Sequence, residues 1–329
     1  MDSQIVTSNS SNSNTEMKRN NVSMVFPNRA QYYSSYQLQN FSMPDSIIFY
    51  ISKNPSSSKL YQKLIQSCKH FFIKNPIIIV PKLHFHRRKG WHTQGNRPSK
   101  NRPNGRTVYF NEITSKIWIT DELGCMPACS NWPVVTSFKP QIYQCDATSI
   151  YFDQQMFSFN DLMVIASKCE ILHLSSVVIM NNDEVIPEIE EDQFYFETAV
   201  SLEALFKALP DVKTFTYYLP NNSLNIITSK TAEELLKISN FLSLDKFEIR
   251  EIPEIFDIES FYGHIKENKK TKIDLDFSLQ ISDEYKTRLQ TIVDEILETK
   301  NRDYKVPSIY FSGITSSSRD KMYALCRQN

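Results

Sequence analysis

One spacing recurs along most of this chain and limits what it can fold into. A first position, two spacers, an apolar residue, one spacer and a second apolar residue fit Thr114, Ile117 and Ile119, then Ala147, Ile150 and Phe152, then Cys169, Leu172 and Leu174. The same spacing returns at Val212, Phe215 and Tyr217, at Leu244, Phe247 and Ile249, at Lys270, Ile273 and Leu275, and at Val306, Ile309 and Phe311. Alternation at the last two positions is what a strand with one buried face requires. Between these strands the period changes. Phe159, Leu162, Met163 and Ala166, then Leu202, Leu205, Phe206 and Leu209, then Ile258, Phe261, Tyr262 and Ile265, then Leu289, Ile292, Val293 and Ile296 are each spaced as one apolar stripe of a helix. Ser158 with Asp161 and Thr231 with Glu234 have capping-box spacing.

Alternating strands and helices predict an α/β chain with a parallel sheet covered by helices. A shared spacing that repeats favours stacked units, so residues 107–329 are expected to form an irregular leucine-rich-repeat-like array. The intervals between repeats are uneven, and a compact doubly wound sheet is the alternative.

Ahead of the array, residues 1–25 are dominated by Ser and Asn and hold too few apolar groups to offset the entropy of ordering; they are expected to be a disordered tail. Residues 41–80 read as helical. Ser42, Pro44 and Asp45 signal a helix start, Asn54 and Pro55 a break, and Leu60, Leu64 and Cys68, with Tyr61, Ile65 and Phe72 beside them, an amphipathic helix ending before Asn75 and Pro76. IIIV at 77–80 then reads as a short buried strand. Residues 82–106 hold eight Lys or Arg and no acid, with repeated turn residues, and are expected to be a basic linker or loop.

The segment MPDSIIFYI followed by LIQSCKHFF resembles the F-box, whose first helix opens with an apolar residue, Pro and a polar step into an aliphatic pair, and whose later helix carries a Cys-Lys pair before an aromatic. Met43, Pro44, Ile47, Ile48 and Ile51 match the first part, and Cys68, Lys69 and Phe71 the second. The longer run through SKIWITDEL is similar to the F-box-like families expanded in nematodes, which pair such a segment with a variable strand and helix array. The resemblance implies a non-catalytic substrate receptor of a Skp and cullin type ubiquitin ligase. Met43, Pro44, Ile47, Ile48, Ile51, Leu64, Cys68 and Phe71 would bind the Skp-type adaptor, and the array would hold a target protein. In an open arc, the strand positions between the buried ones line a free face, which nominates His173, Thr216, Glu248, Asp274 and Tyr310 for target contact.

The chain carries 37 basic and 37 acidic residues, so global charge nominates neither nucleic acid nor an anionic membrane. The rival reading is a nucleic-acid-binding protein in which Arg87, Arg88 and Lys89 follow a phosphate backbone while Trp91 stacks on a base. Neutral net charge weighs against it. No uncharged apolar run approaches the ~20 residues of a membrane helix. Six irregularly placed cysteines, with no signal-like apolar N-terminal run, point to reduced thiols in the cytosol or nucleus.

Chemistry finds little purchase. The six glycines stand apart and build no phosphate cradle. Cys125 and Cys129 have zinc-ligand spacing, with His84, His86, His92 and Cys145 in the same half, but no second tight ligand pair completes a site. The acidic run from Asp183 to Glu197 reads as a solvated loop, and Cys68, Cys169 and His173 as packing or surface residues. No metal, cofactor or catalytic constellation is expected.

Overall fold

Wherever apolar residues alternate, the chain extends, and the extended segments pair in the order in which they occur. The computed structural model describes residues 29–37, 40–86, 88, 90–94, 106–110, 112–126, 134–181, 199–220 and 225–328. Its strands are β1 (Ile77–His86), β2 (Gly90–Gln94), β3 (Arg106–Thr107), β4 (Lys116–Met126), β5 (Ile142–Cys145), β6 (Ser149–Asp153), β7 (Met156–Ser158), β8 (Ile171–Ser175), β9 (Val178–Met180), β10 (Thr214–Tyr218), β11 (Lys246–Ile252), β12 (Lys272–Phe277) and β13 (Ser308–Tyr310). The main sheet runs β13-β12-β11-β10-β8-β6-β4-β1-β2-β3, with β5 beside the first half of β4. It is parallel from β1 through β4 to β13; only the β1–β2 and β2–β3 pairs are antiparallel. The short β7 and β9 pair separately.

From β4 onward the strand order never reverses. A doubly wound sheet needs such a reversal, whereas crossovers of one hand between sequential neighbours return every connecting helix to the same face. The contents of the core agree. Ile150, Leu172, Phe215, Phe247, Ile273 and Ile309, one from each successive strand, join one buried cluster with the four helical stripes of the sequence. Those stripes lie on α6 (Phe159–Ala166), α7 (Leu202–Ala208), α10 (Ile258–Glu267) and α11 (Asp283–Glu298), numbered after α1 (Arg29–Ser34) to α5 (Val134–Phe138), with α8 (Thr231–Leu235) and α9 (Ser239–Leu242) between and α12 (Ser316–Gln328) last.

Successive units are also joined by a backbone ladder that leaves no trace in side-chain identity. Ahead of each strand one carbonyl accepts from the next unit: Thr148 from the Glu170 N–H (2.8 Å), Glu170 from Lys213 (2.8 Å), Lys213 from Asp245 (2.8 Å) and Asp245 from Lys272 (2.9 Å). At the strand exits, Gln154, Ser176 and Leu219 each donate to the neighbouring unit, to Ser175, Tyr218 and Arg250. Gln154 and Ser176 turn out of β6 and β8 with φ of 49° and 50°, and Glu251 bends within β11 at 61°, left-handed values that side chains rarely adopt.

Several local expectations are corrected. Residues 82–94 contain a β-hairpin rather than a linker: β1 continues ten residues to His86, and β2 pairs back on it with Phe85 opposite Trp91. Pro81 interrupts β1, and having no N–H to give the ladder it coincides with a register shift in which Thr120 and Asp121 of β4 face it together. The amphipathic helix expected across 58–74 is two helices, α3 (Ser58–Ser67) and α4 (Lys69–Lys74), because Cys68 is extended and its Sγ caps the second by accepting from the His70 N–H at 3.4 Å. α2 (Asp45–Lys53) starts from Pro44 without a side-chain cap, so the Ser42–Asp45 box is not formed. Ser158 does cap α6, with Asp161 N–H donating to its Oγ at 3.1 Å, while the Asp161 carboxylate takes Lys139; Thr231 is inside its helix and accepts instead from Thr228 N–H. The Ser/Asn tail at 1–25 and the acidic run 183–197 lie outside the described residues.

Candidate recognition surfaces

Two surfaces collect the residues nominated by sequence. The first is the N-terminal helical unit. α2, α3 and α4 close around their own small core of Ile48, Cys68 and Phe71, with Phe41, Ile51, Leu64 and Ile65 packed against it. Ile48, Cys68 and Phe71 are therefore unavailable for direct contact with an adaptor and hold the unit together instead. Met43, Pro44 and Ile47 remain on the outside, Ile47 46% exposed, and Phe49, Tyr50 and Leu60 join them as exposed apolar side chains. Phe49, Tyr50 and Leu60 were not singled out by the motif. Phe49 and Tyr50 lie on α2, where apolar residues occupy more of the circumference than one buried stripe can use, and Leu60 lies at the start of α3.

This unit is fixed to the sheet at Tyr61. Its side chain is fully buried with Ile77 and Trp118, its hydroxyl donates to the Asn75 carbonyl, and the same oxygen accepts the Ile77 N–H at 3.3 Å. Strand alternation puts Trp118 on the same side of β4 as Glu122 and Gly124, so the helices cover one end of the sheet face that the other helices leave free.

The second surface is that free face. Parallel register aligns His84, Gly124, Tyr151, His173, Thr216, Glu248, Asp274 and Ser308 as one row across eight strands. Four of the five nominated target residues thus stand side by side. Tyr310 belongs to the next row, beside Asp276. Exposure differs from expectation: Tyr310 is 41% exposed and His173 and Asp274 are half-buried, but Thr216 and Glu248 are buried beneath their neighbours.

The burial of Glu248 has an electrostatic cause. Lys246 Nζ reaches Oε2 at 2.6 Å, Arg250 reaches Oε1 at 2.8 Å, and Tyr218 Oη donates to Oε1 at 3.3 Å. Burial pushes this carboxyl up, but the hydrogen bonds from Lys246 and Arg250 outweigh it and hold it below its ordinary value. Arg250 also lies over the Tyr218 ring at 4.7 Å, and His173 meets the same ring edge-on at 5.3 Å. Burial keeps the His173 imidazole below its usual range, with Glu248 opposing.

At the other end of the row, His84 occupies the space above Gly124. Its Nε2 stands 3.2 Å from Glu122 Oε1, without hydrogen-bond alignment, and Lys82 takes Oε2 at 2.7 Å. A Cβ on residue 124 would lie 2.7 Å from His84 Nδ1. Gly124→Ala is expected to destabilise the fold by about 1–3 kcal/mol, and His84→Ala in the same chain should recover most of that loss. Denaturant unfolding of the single and double variants measures both, and purely additive costs would refute the steric account.

The nucleic-acid reading loses its stacking residue. Trp91 is 7% exposed and packs edge-on against Phe138 at 4.3 Å, with Phe85 at 5.4 Å and Phe110 at 5.6 Å. Arg88 is exposed, while Arg87 and Lys89 lie outside the described residues. As for metal ligation, Cys125 is buried in the core and Cys129 lies outside the described residues; among the described residues no three His, Cys, Asp or Glu side chains converge. Burial pushes the Cys125 and Cys169 thiols up to about 12 and those of Cys145 and Cys326 to about 11, so none of these four is a thiolate nucleophile at neutral pH. No helix among the described residues is long and apolar enough to cross a membrane. Compared with protein-family models, curated proteins and solved structures, the chain matches none.

Proposed function

We propose that this chain is a non-catalytic substrate receptor of a Skp and cullin type ubiquitin ligase, working in the cytosol or nucleus. The F-box-like helices dock the adaptor, and an irregular leucine-rich-repeat-like array presents its free sheet face to a target protein. The observation that carries this reading is the division of labour within the helical unit: Ile48, Cys68 and Phe71 make its core, while Met43, Ile47, Phe49, Tyr50 and Leu60 face outward. A helical unit whose own core leaves exposed apolar side chains over is built to be covered by a partner's groove. Burial of each aliphatic side chain there contributes about 1.5–3 kcal/mol. The repeating backbone ladder and the unreversed strand order support the repeat-like reading of the array.

Ile47 is the position to test, since it is exposed and does not take part in the unit's core. The wild-type chain is expected to co-purify with a Skp-type adaptor. Ile47→Asp should weaken that complex at least ~100-fold, because it loses an apolar contact and places a charge in a dry groove, while circular dichroism stays unchanged. Failure of the wild-type chain to bind any Skp-type adaptor, or equal binding by Ile47→Asp, would sink the proposal.

A further inference from the structure

The chain is neutral as a whole but not in its parts. Residues 1–111 carry 16 Lys or Arg against three acids, whereas residues 112–329 carry 21 against 34. The helical unit shares the basic excess: residues 41–76 hold Lys53, Lys59, Lys63, Lys69 and Lys74 and the single acid Asp45. Lys53, Lys59, Lys63 and Lys74 are exposed, and none of these four forms an ion pair among the described residues. Where the unit meets the sheet, the acids are already engaged, Glu122 with Lys82 and Asp146 with the Trp118 indole and Gln144, while Glu112 and Asp121 pair with none of the four lysines. The fold gains nothing from this arrangement. Lys59 and Lys63 stand four apart on α3, a like-charge spacing that destabilises a helix. The lysines instead keep company with the exposed apolar side chains: Lys53 Nζ lies 5.9 Å from the centre of the Phe49 ring, and Lys59 and Lys63 stand beside Leu60 and one turn beyond it.

From this geometry we infer that the helical unit docks on a partner protein whose contact face is apolar at its centre and edged with Asp and Glu, the acids pairing with Lys53, Lys59 and Lys63. The inference rests on the reading that this unit is the docking element, and it supplies the partner's chemistry. Charge complementarity selects the occupant. Lysine is depleted at the centres of protein interfaces and stands at their rims, where its stem lies along apolar surface while the ammonium reaches outward. A partner edged with bases would meet uncompensated cations, a repulsion that excludes it. An anionic bilayer also attracts lysines, but it repels Asp45, which is exposed one turn ahead of Phe49 on α2; a protein face seats that carboxylate with a single basic or amide side chain. Attraction between opposite rims acts mainly on the rate of encounter and weakens as salt screens it.

The full chain is titrated into two fluorescent amphipathic helical peptides that share a leucine stripe, one edged with Glu and the other with Lys, with anisotropy as readout. The Glu-edged peptide is expected to bind and the Lys-edged one not. Lys53→Glu, Lys59→Glu and Lys63→Glu together should weaken binding at least ~10-fold, and so should raising NaCl from about 50 to 500 mM. Gln at the same three positions, which removes the charge without adding repulsion, should cost about threefold. Lys321→Glu, on α12, should change nothing. The inference is overturned if the Glu-edged peptide does not bind, if the Lys-edged one binds as well, if the triple Glu variant binds like wild type, or if Lys321→Glu is as damaging. It is overturned in favour of a membrane if phosphatidylserine vesicles sediment the wild type and not the triple variant, and in favour of self-assembly if the chain alone forms an oligomer that the triple variant dissolves. Binding of a Skp-type adaptor by the same variants separates the two readings. An adaptor held regardless of these charges removes this inference alone, and a Glu-edged peptide bound by a chain that takes no adaptor removes the ligase assignment alone.

Discussion

Replacing Phe247 by alanine is expected to cost about 3–5 kcal/mol, enough to remove a large fraction of the 5–15 kcal/mol that separates a typical folded domain from its unfolded chain. Phe247 is the middle residue of an aromatic column that ties three repeating units together. Its ring stacks on Phe215 of the preceding strand at 6.1 Å, meets Phe241 edge-on at 5.1 Å, and touches Phe206 and Phe261 at 6.2 and 6.1 Å. Those partners come from α7, α9, α10 and β10, so truncation opens a cavity that no single element can collapse into. If the strand and helix pairs stack as the proposed repeats, each is stabilised mainly by its neighbours. The loss should therefore be felt on both sides of β11, with a lower and broader thermal transition. Phe247→Leu, which keeps most of the volume, should cost about 1–1.5 kcal/mol. A Phe247→Ala chain that melts within a degree or two of wild type would show that the units do not depend on this column.

Most of that column was readable from the spacing, Phe241 of the short α9 being the exception. Phe215 and Phe247 fall on the penultimate apolar position of the recurring motif, and both are buried where alternation puts them. Phe206 and Phe261 fall on helical stripes for the same reason. What the sequence did not carry is backbone. The carbonyl ladder from Thr148 to Asp245 joins repeats without asking for any side chain, which is why no recurring Asn or Cys marks it. Cys68 lies in helical phase with Leu60 and Leu64, yet it is extended, and a period of apolar residues cannot reveal a one-residue break between two helices. The basic loop was misjudged because charge masked alternation: Lys82, His84 and His86 occupy the free face, while Leu83 and Phe85 between them enter the core. Trp91 followed the same rule.

The recognition surfaces were legible to different degrees. Row membership of His173, Thr216, Glu248 and Asp274 follows from the shared spacing, since equal offsets from the motif place residues in register. Burial of Glu248 was not legible. It depends on Lys246 and Arg250 closing over it from two positions away on the same strand, which satisfies the carboxylate and withdraws it from solvent. Between β11 and β12 a bulge sets Arg250 and Glu251 together opposite Asp276, and nothing in the spacing announces it.

The other large effect is expected at Tyr61, where the helical unit meets the sheet. Tyr61→Ala removes a fully buried aromatic side chain packed against Ile77 and Trp118 and leaves the Ile77 N–H without its hydroxyl acceptor. The truncation should cost about 3–5 kcal/mol. Tyr61→Phe keeps the ring and loses the hydroxyl's hydrogen bonds to the Asn75 carbonyl and the Ile77 N–H, a cost of about 1–3 kcal/mol. The damage is local in origin, because the cores on either side are separate: Ile48, Cys68 and Phe71 pack within the helices, and Leu83, Leu123 and Ile150 belong to the array. Tyr61→Ala should therefore split unfolding, with the helical unit melting first and cleavage by a protease between Lys74 and Ile77 accelerated, while the array keeps its own transition. If adaptor and target grip opposite parts of the chain, Tyr61 also fixes the geometry between them. Tyr61→Ala is then expected to lower target ubiquitination more than it lowers binding of either partner measured alone. A single, unshifted unfolding transition in Tyr61→Ala would mean that the two cores are joined elsewhere.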